Sequence, residues 1–112
     1  MTIYGIKNCD SVRKTIKYIK SKDLDYNFVD FKQTPVDEKK INFWLKKNGI
    51  DKLFNTRGTT YRTLKLKELN LDDEQKAKWL AKENMLIKRP IIEHNNEVIV
   101  GFNEENLAIV LK

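Results

Sequence analysis

The first thirty residues limit the fold more than any other part of the chain. "TIYGI" (2–6) and "YNFVDF" (26–31) are short β-branched and aromatic runs, and both read as strands. Between them Val12, Ile16 and Ile19 recur at i, i+4 and i+7, which is one face of a helix, with Arg13, Lys14, Lys17 and Lys20 on the others. A strand, a helix and a strand in so short a span favour a parallel pair joined by a right-handed crossover.

Further on, "TPVDEKKINFWLKKNG" predicts a helix. Thr34 is the expected N-cap, Pro35 the first helical residue, Asp37 and Glu38 the acidic first turn, Lys46 and Lys47 the basic last turn, and Gly49 the stop. Ile41, Trp44 and Leu45 form its apolar stripe. "LNLDDEQKAKWLAKEN" predicts another helix, capped near Asn70 or Asp72, with Ala77, Leu80 and Ala81 facing inward. "FNTRGTTYRTLK", between the two, is expected to be a loop followed by short helical turns. "PIIEHNNEVIVGF" sets two β-branched runs around Asn95-Asn96, a pair that tolerates positive φ, and so predicts an antiparallel hairpin. "NEENLAIVLK" closes the chain as a short capped helix. The order is β-α-β, a helical block over approximately 35–85, then β-β-α.

At 112 residues the expectation is one domain spanning 1–112 with one core. Hydrophobic residues at 40% and charged residues at 34%, with four Gly and two Pro, exclude a collagen-like or low-complexity chain. No run reaches the roughly 18 apolar residues of a membrane span, so no membrane association is expected and a soluble, cytoplasmic protein is. Cys9 is the single cysteine and His94 the single histidine, which leaves neither an internal disulfide nor metal-ligand spacing. The formal charge of +6 comes from lysines spread over every segment and reads as a solvated surface. Without an RNP-type, zinc-finger or helix-turn-helix signature, nucleic acid is not the expected partner.

Cys9 carries the chemistry. It follows the first strand and opens a helix, where unpaired backbone N–H groups and the helix dipole favour a thiolate, and Lys7, Arg13 and Lys14 add positive charge nearby. A reactive thiol must be at least partly accessible at that helix start. The alternative is a small buried hydrophobe, a common fate of free cysteine. Val12 stands three residues on, so no C-x-x-C disulfide can close and any redox cycle needs a thiol from outside. Arg57 in "NTRG" and Arg89 in "IKRP" could hold an anion through the planar, forked donation of guanidinium, and Arg62 and Lys88 are weaker candidates.

"YGIKNCD", "LFNTRGTTYR" and "LIKRPII", in that order and spacing, resemble the ArsC/Spx family, most closely its YffB-like branch of small thiol reductases. The resemblance covers essentially the whole chain. It implies an α/β, thioredoxin-like fold with a helical insertion, in which Cys9 is the catalytic nucleophile, Arg89 the arginine of the "RP" motif and Pro90 a structural cis-proline. It further implies a glutathione-dependent monothiol reductase with no tightly bound cofactor. Glutathione is then the co-substrate, glutathione or glutaredoxin the partner, and Arg89, Arg57, Lys7 and Asn8 the substrate-binding residues. A protein disulfide or arsenate is the implied substrate. Two alternatives stay open, an arsenate reductase and a non-enzymatic Spx-like regulator that binds RNA polymerase.

Overall fold

The computed structural model describes residues 1–111, and the last residue of the expected closing helix, Lys112, lies outside them. Four strands, β1 (Thr2–Gly5), β2 (Asn27–Asp30), β3 (Ile91–His94) and β4 (Glu97–Val100), form one mixed sheet in the order β2-β1-β3-β4. Six α-helices accompany them among the described residues: α1 (Asp10–Ser21), α2 (Glu38–Asn48), α3 (Ile50–Leu53), α4 (Thr59–Thr63), α5 (Asp73–Lys82) and α6 (Glu104–Val110). Two short 3-10 turns cover Leu66–Leu69 and Asn84–Leu86. No helix among the described residues is long and apolar enough to cross a membrane.

The contacts divide the chain into two compact units, Met1–Pro35 with Arg89–Lys112, and Val36–Lys88. The first holds the whole sheet with α1 and α6. Here β1 pairs in parallel with β2 (Ile3 opposite Phe28), antiparallel with β3 (Ile3 opposite Ile92), and β3 pairs antiparallel with β4 (Ile92 opposite Ile99). This is the expected thioredoxin-like arrangement, β-α-β followed by β-β-α. Asn95 and Asn96 take φ of 48° and 66°, the positive angles that a tight hairpin needs. Ile3, Ile19, Ile92, Ile99 and Leu107 make one core cluster, so one face of the sheet is covered by α1 and α6. Burying each such side chain is worth about 1.5–3 kcal/mol. Within α1, Val12, Thr15 and Ile19 are buried and Ile16 only partly so, which turns the buried stripe slightly from the expected one. Thr15 can sit inside because its hydroxyl donates to the Ser11 carbonyl at 2.8 Å.

The second unit is helical. α2 packs on α3 and α5, with Ile41, Trp44, Leu53, Leu80, Leu86 and Ile87 buried. The start of α2 differs from expectation. Thr34 is not the N-cap and Pro35 is not in the helix, which begins at Glu38 with Asp37 as cap, its carboxylate accepting the Lys40 N–H at 3.0 Å. The cause lies at Val36. Its N–H donates to Asn84 Oδ1 at 2.7 Å and its carbonyl accepts from Asn84 Nδ2 at 3.3 Å, so both backbone groups are used across the unit and not along a helix. α5 starts with a capping box, Asp72 and Gln75 each bonding the other's backbone N–H, so the cap is Asp72 and not Asn70. Leu80 is buried as expected, whereas Ala77 and Ala81 are only partly covered.

Candidate active site

The register of the sheet decides what meets at its end. β1 runs towards Gly5, which lies opposite Asp30 of parallel β2, while Tyr4 lies opposite Ile91, the first residue of antiparallel β3. Ile91 in turn faces Val100, the last residue of β4. The chain leaving β1 through Lys7, Asn8 and Cys9 therefore emerges at the same end of the sheet as Arg89 and Pro90 entering β3. The ladder continues one bond past the paired strands here, with the Gly101 N–H donating to the Pro90 carbonyl at 2.8 Å. The Arg89–Pro90 bond is cis, as the family resemblance implied.

Cys9 occupies the N-cap of α1, with φ of −144° and ψ of 123° and its carbonyl accepting the Arg13 N–H at 3.0 Å. The thiol is partly buried, which meets the expectation of partial accessibility. It makes no hydrogen bond across the cap. Ser, Thr, Asn or Asp at this position would typically add about 1 kcal/mol to the helix, a contribution that cysteine does not make here.

Two local features hold α1 against β1. Gly5 leaves room for Val12, since a Cβ on Gly5 would lie 2.7 Å from Val12 Cγ2. Phe31 returns to the strand end through its N–H, which donates to the Gly5 carbonyl at 2.8 Å, and its ring stacks on Tyr4 with centroids 6.4 Å apart. Lys7 and Asn8 are exposed. Arg13 forms an ion pair with Asp10 and donates to Asn8 Oδ1 at 3.4 Å, tying together the residues on either side of the thiol. The i, i+3 spacing of Asp10 and Arg13 in a helix was the signal for this pair.

Lys7, Asn8, Cys9, Arg89 and Pro90 thus belong to one unit and one end of its sheet, and Arg89 is partly buried. Arg57 belongs to the helical unit, exposed on a turn where its N–H donates to Asn55 Oδ1 at 3.0 Å. Its carbonyl accepts from the Arg62 guanidinium at 3.1 Å. A Cβ at Gly58 would sit 2.7 Å from Asn55 Nδ2, so the "NTRG" segment is a built turn.

Residues 4–110 match the ArsC family. An uncharacterized protein of Haemophilus influenzae is 38% identical over 109 residues, covering 94% of this chain and 93% of its own length. The global transcriptional regulator Spx of Listeria innocua is 28% identical over 109 residues, covering 96% of this chain and 83% of its own. Among solved structures, the YFFB protein superposes with a TM-score of 0.91 at 28% identity, over 99% of this chain and 98% of that one. A possible arsenate reductase from Streptococcus mutans superposes with a TM-score of 0.79 at 32% identity, over 96% of each chain.

Proposed function

The chain belongs to the ArsC family, and on that premise we propose that it is a monothiol oxidoreductase in which Cys9 cycles through a mixed disulfide and is released by glutathione. The observation that carries this reading is the placement of a partly accessible Cys9 at the N-cap of α1, at the sheet end that also receives Arg89 and cis-Pro90. The Cys9 thiolate attacks one sulfur of a substrate disulfide. That S–S bond breaks, a new one forms to Cys9, and the other half of the substrate leaves as a thiolate that takes up a proton. Glutathione thiolate then attacks the substrate sulfur of the mixed disulfide, a new S–S bond joins glutathione to that sulfur, and Cys9 leaves as a thiolate. Cys9 has no second cysteine in the chain to resolve it, so the external thiol is a required reactant. Arg89 holds a glutathione carboxylate through its two forked N–H groups, and Lys7 adds a second cation at the mouth of the site.

Intact-mass spectrometry after treatment with oxidised glutathione tests this. One glutathione should add to the chain and leave again with reduced glutathione, and Cys9→Ser should take none. A wild-type chain that takes none would end the proposal. The likeness to Spx favours a second reading, a non-enzymatic regulator, which predicts no catalytic turnover of any disulfide by glutathione. The likeness to a possible arsenate reductase makes arsenate the other substrate to assay, and only glutathione oxidation that depends on arsenate would favour it.

A further inference from the structure

The helix that begins at the thiol is strongly basic. Residues 7–22 hold six basic side chains, Lys7, Arg13, Lys14, Lys17, Lys20 and Lys22, against one acidic, Asp10, for a net +5. A second basic stretch, 39–67, holds nine basic side chains against one acidic, Asp51, and belongs to the helical unit, which does not carry the thiol. Within the unit that carries Cys9, the residues outside 7–22 hold three basic and seven acidic side chains, so there the positive charge falls on α1. Arg13, Lys17 and Lys20 stand at i, i+4 and i+7 and so share one face of α1, and all three are exposed. With Ile16 they line an open groove of about 340 Å³. Asp10 is paired with Arg13, while Asp23 and Asp25 lie beyond the far end of the helix. The row from Arg13 to Lys20 rises about 10 Å along the axis.

We propose that this groove docks an acidic segment of a protein substrate whose oxidised cysteine is thereby presented to Cys9. The inference rests on the monothiol reading above and names the class of its substrate. A row of cations pointing away from the thiol along one helix suits carboxylates in the residues flanking the reacting cysteine. Ile16 offers an apolar contact between them. A nucleic acid would meet the same charge but brings no sulfur to the thiol, which favours protein. The reaction is glutathione transfer. Cys9 thiolate attacks the glutathione sulfur of the partner's mixed disulfide, the partner's cysteine leaves as a thiolate, and a second glutathione thiolate frees Cys9 and yields oxidised glutathione.

The test uses two synthetic peptides with one glutathionylated cysteine each, flanked by Asp and Glu in one and by Lys and Arg in the other. Glutathione transfer to Cys9 should be about tenfold faster from the acidic peptide at low salt, with most of the preference lost at high salt. Lys17→Glu/Lys20→Glu should abolish or invert the preference, and Lys17→Gln/Lys20→Gln should reduce it, while reaction with neutral hydroxyethyl disulfide stays unchanged. Equal rates for the two peptides, or a preference untouched by both double variants, would overturn the proposal. If hydroxyethyl disulfide does not react with the wild-type chain, the monothiol reading fails by itself, and docking is then judged by fluorescence anisotropy with the Cys9→Ser variant. Tighter binding of the acidic peptide than of the basic one upholds the groove. Tighter binding of an RNA or DNA oligonucleotide than of the acidic peptide overturns it.

Discussion

The two units of this chain bury their apolar residues by different means. In the sheet unit, four strands of four residues each satisfy the backbone through ladder bonds, and the core is an alternation of isoleucines closed by α1 and α6. In the helical unit a single backbone bridge, Phe54 opposite Ile87, joins the end of α3 to the segment after α5, and the entry to α2 is held by one side chain. Asn84 holds both backbone groups of Val36 and also donates to the Leu80 carbonyl at 2.9 Å. A ladder repeats and tolerates change at any one rung, whereas a clamp of this kind has no substitute. The thiol and the cis-proline stand on the ladder-built unit.

The strongest way to break the comparison is Trp44→Ala. Trp44 is fully buried in the helical unit, and its loss should cost about 3–5 kcal/mol, read by denaturant unfolding. Amide exchange should rise first within 36–88. An even rise over both units would mean that they unfold as a single block and that the contrast between them has no energetic meaning.

Next in size is a contrast between the two arginines. Arg89→Lys keeps the charge and loses the fork, which for one bidentate charge-assisted pair amounts to about 1.5–3 kcal/mol. The second-order rate with oxidised glutathione should therefore fall roughly tenfold to a hundredfold. Arg57→Lys, in the helical unit, should change that rate less. An equal loss for both would give the helical unit a direct part in the chemistry, and an unchanged rate for Arg89→Lys would remove the anion site.

Gly5→Ala tests the seat of α1. The added Cβ would press on Val12, a β-branched side chain already fully buried, and should cost about 1–2 kcal/mol while slowing Cys9 as the helix start shifts. Full stability together with a normal rate would show that the seat is softer than the 2.7 Å approach implies. The smallest expected effect is a gain. Cys9→Ser should raise stability by up to about 1 kcal/mol, because a hydroxyl can cap the free N–H groups of α1, even as it abolishes glutathione transfer. A drop in melting temperature would argue against an idle cap.

Much of the sheet unit was legible in the sequence because its signals are local. Period-2 runs, the i, i+4, i+7 stripe of α1 and the Asn95-Asn96 turn each lie within a few neighbouring residues, and each appears in the structure. The helical unit was less legible where a distant residue decides. Thr34-Pro35 is a good local start signal, yet the clamp from Asn84, 48 positions from Val36, moves the start to Glu38. α3 follows α2 after Gly49 alone, and four residues carry no periodicity to read. At the candidate site, Cys9 could be read from its place between strand and helix. The neighbourhood of Arg89 and Pro90 came through likeness to a family, since only the register of β1 with β3 brings that segment to the same end. The charge of α1 was visible all along, but only once acidic residues are counted with basic ones.

That register has a consequence for how the protein is made. β1 emerges from the ribosome first, but its antiparallel neighbour β3 is synthesised about 90 residues later. At roughly 5–20 residues per second, Cys9 is exposed on a nascent chain for about 4–16 s before the strand that completes its surroundings exists. In that interval it is an ordinary thiol on an unfinished polypeptide, open to any oxidant or neighbouring nascent cysteine. Chains stalled before residue 91 should therefore be alkylated at Cys9 at the rate of an unstructured peptide, and chains released at full length should not.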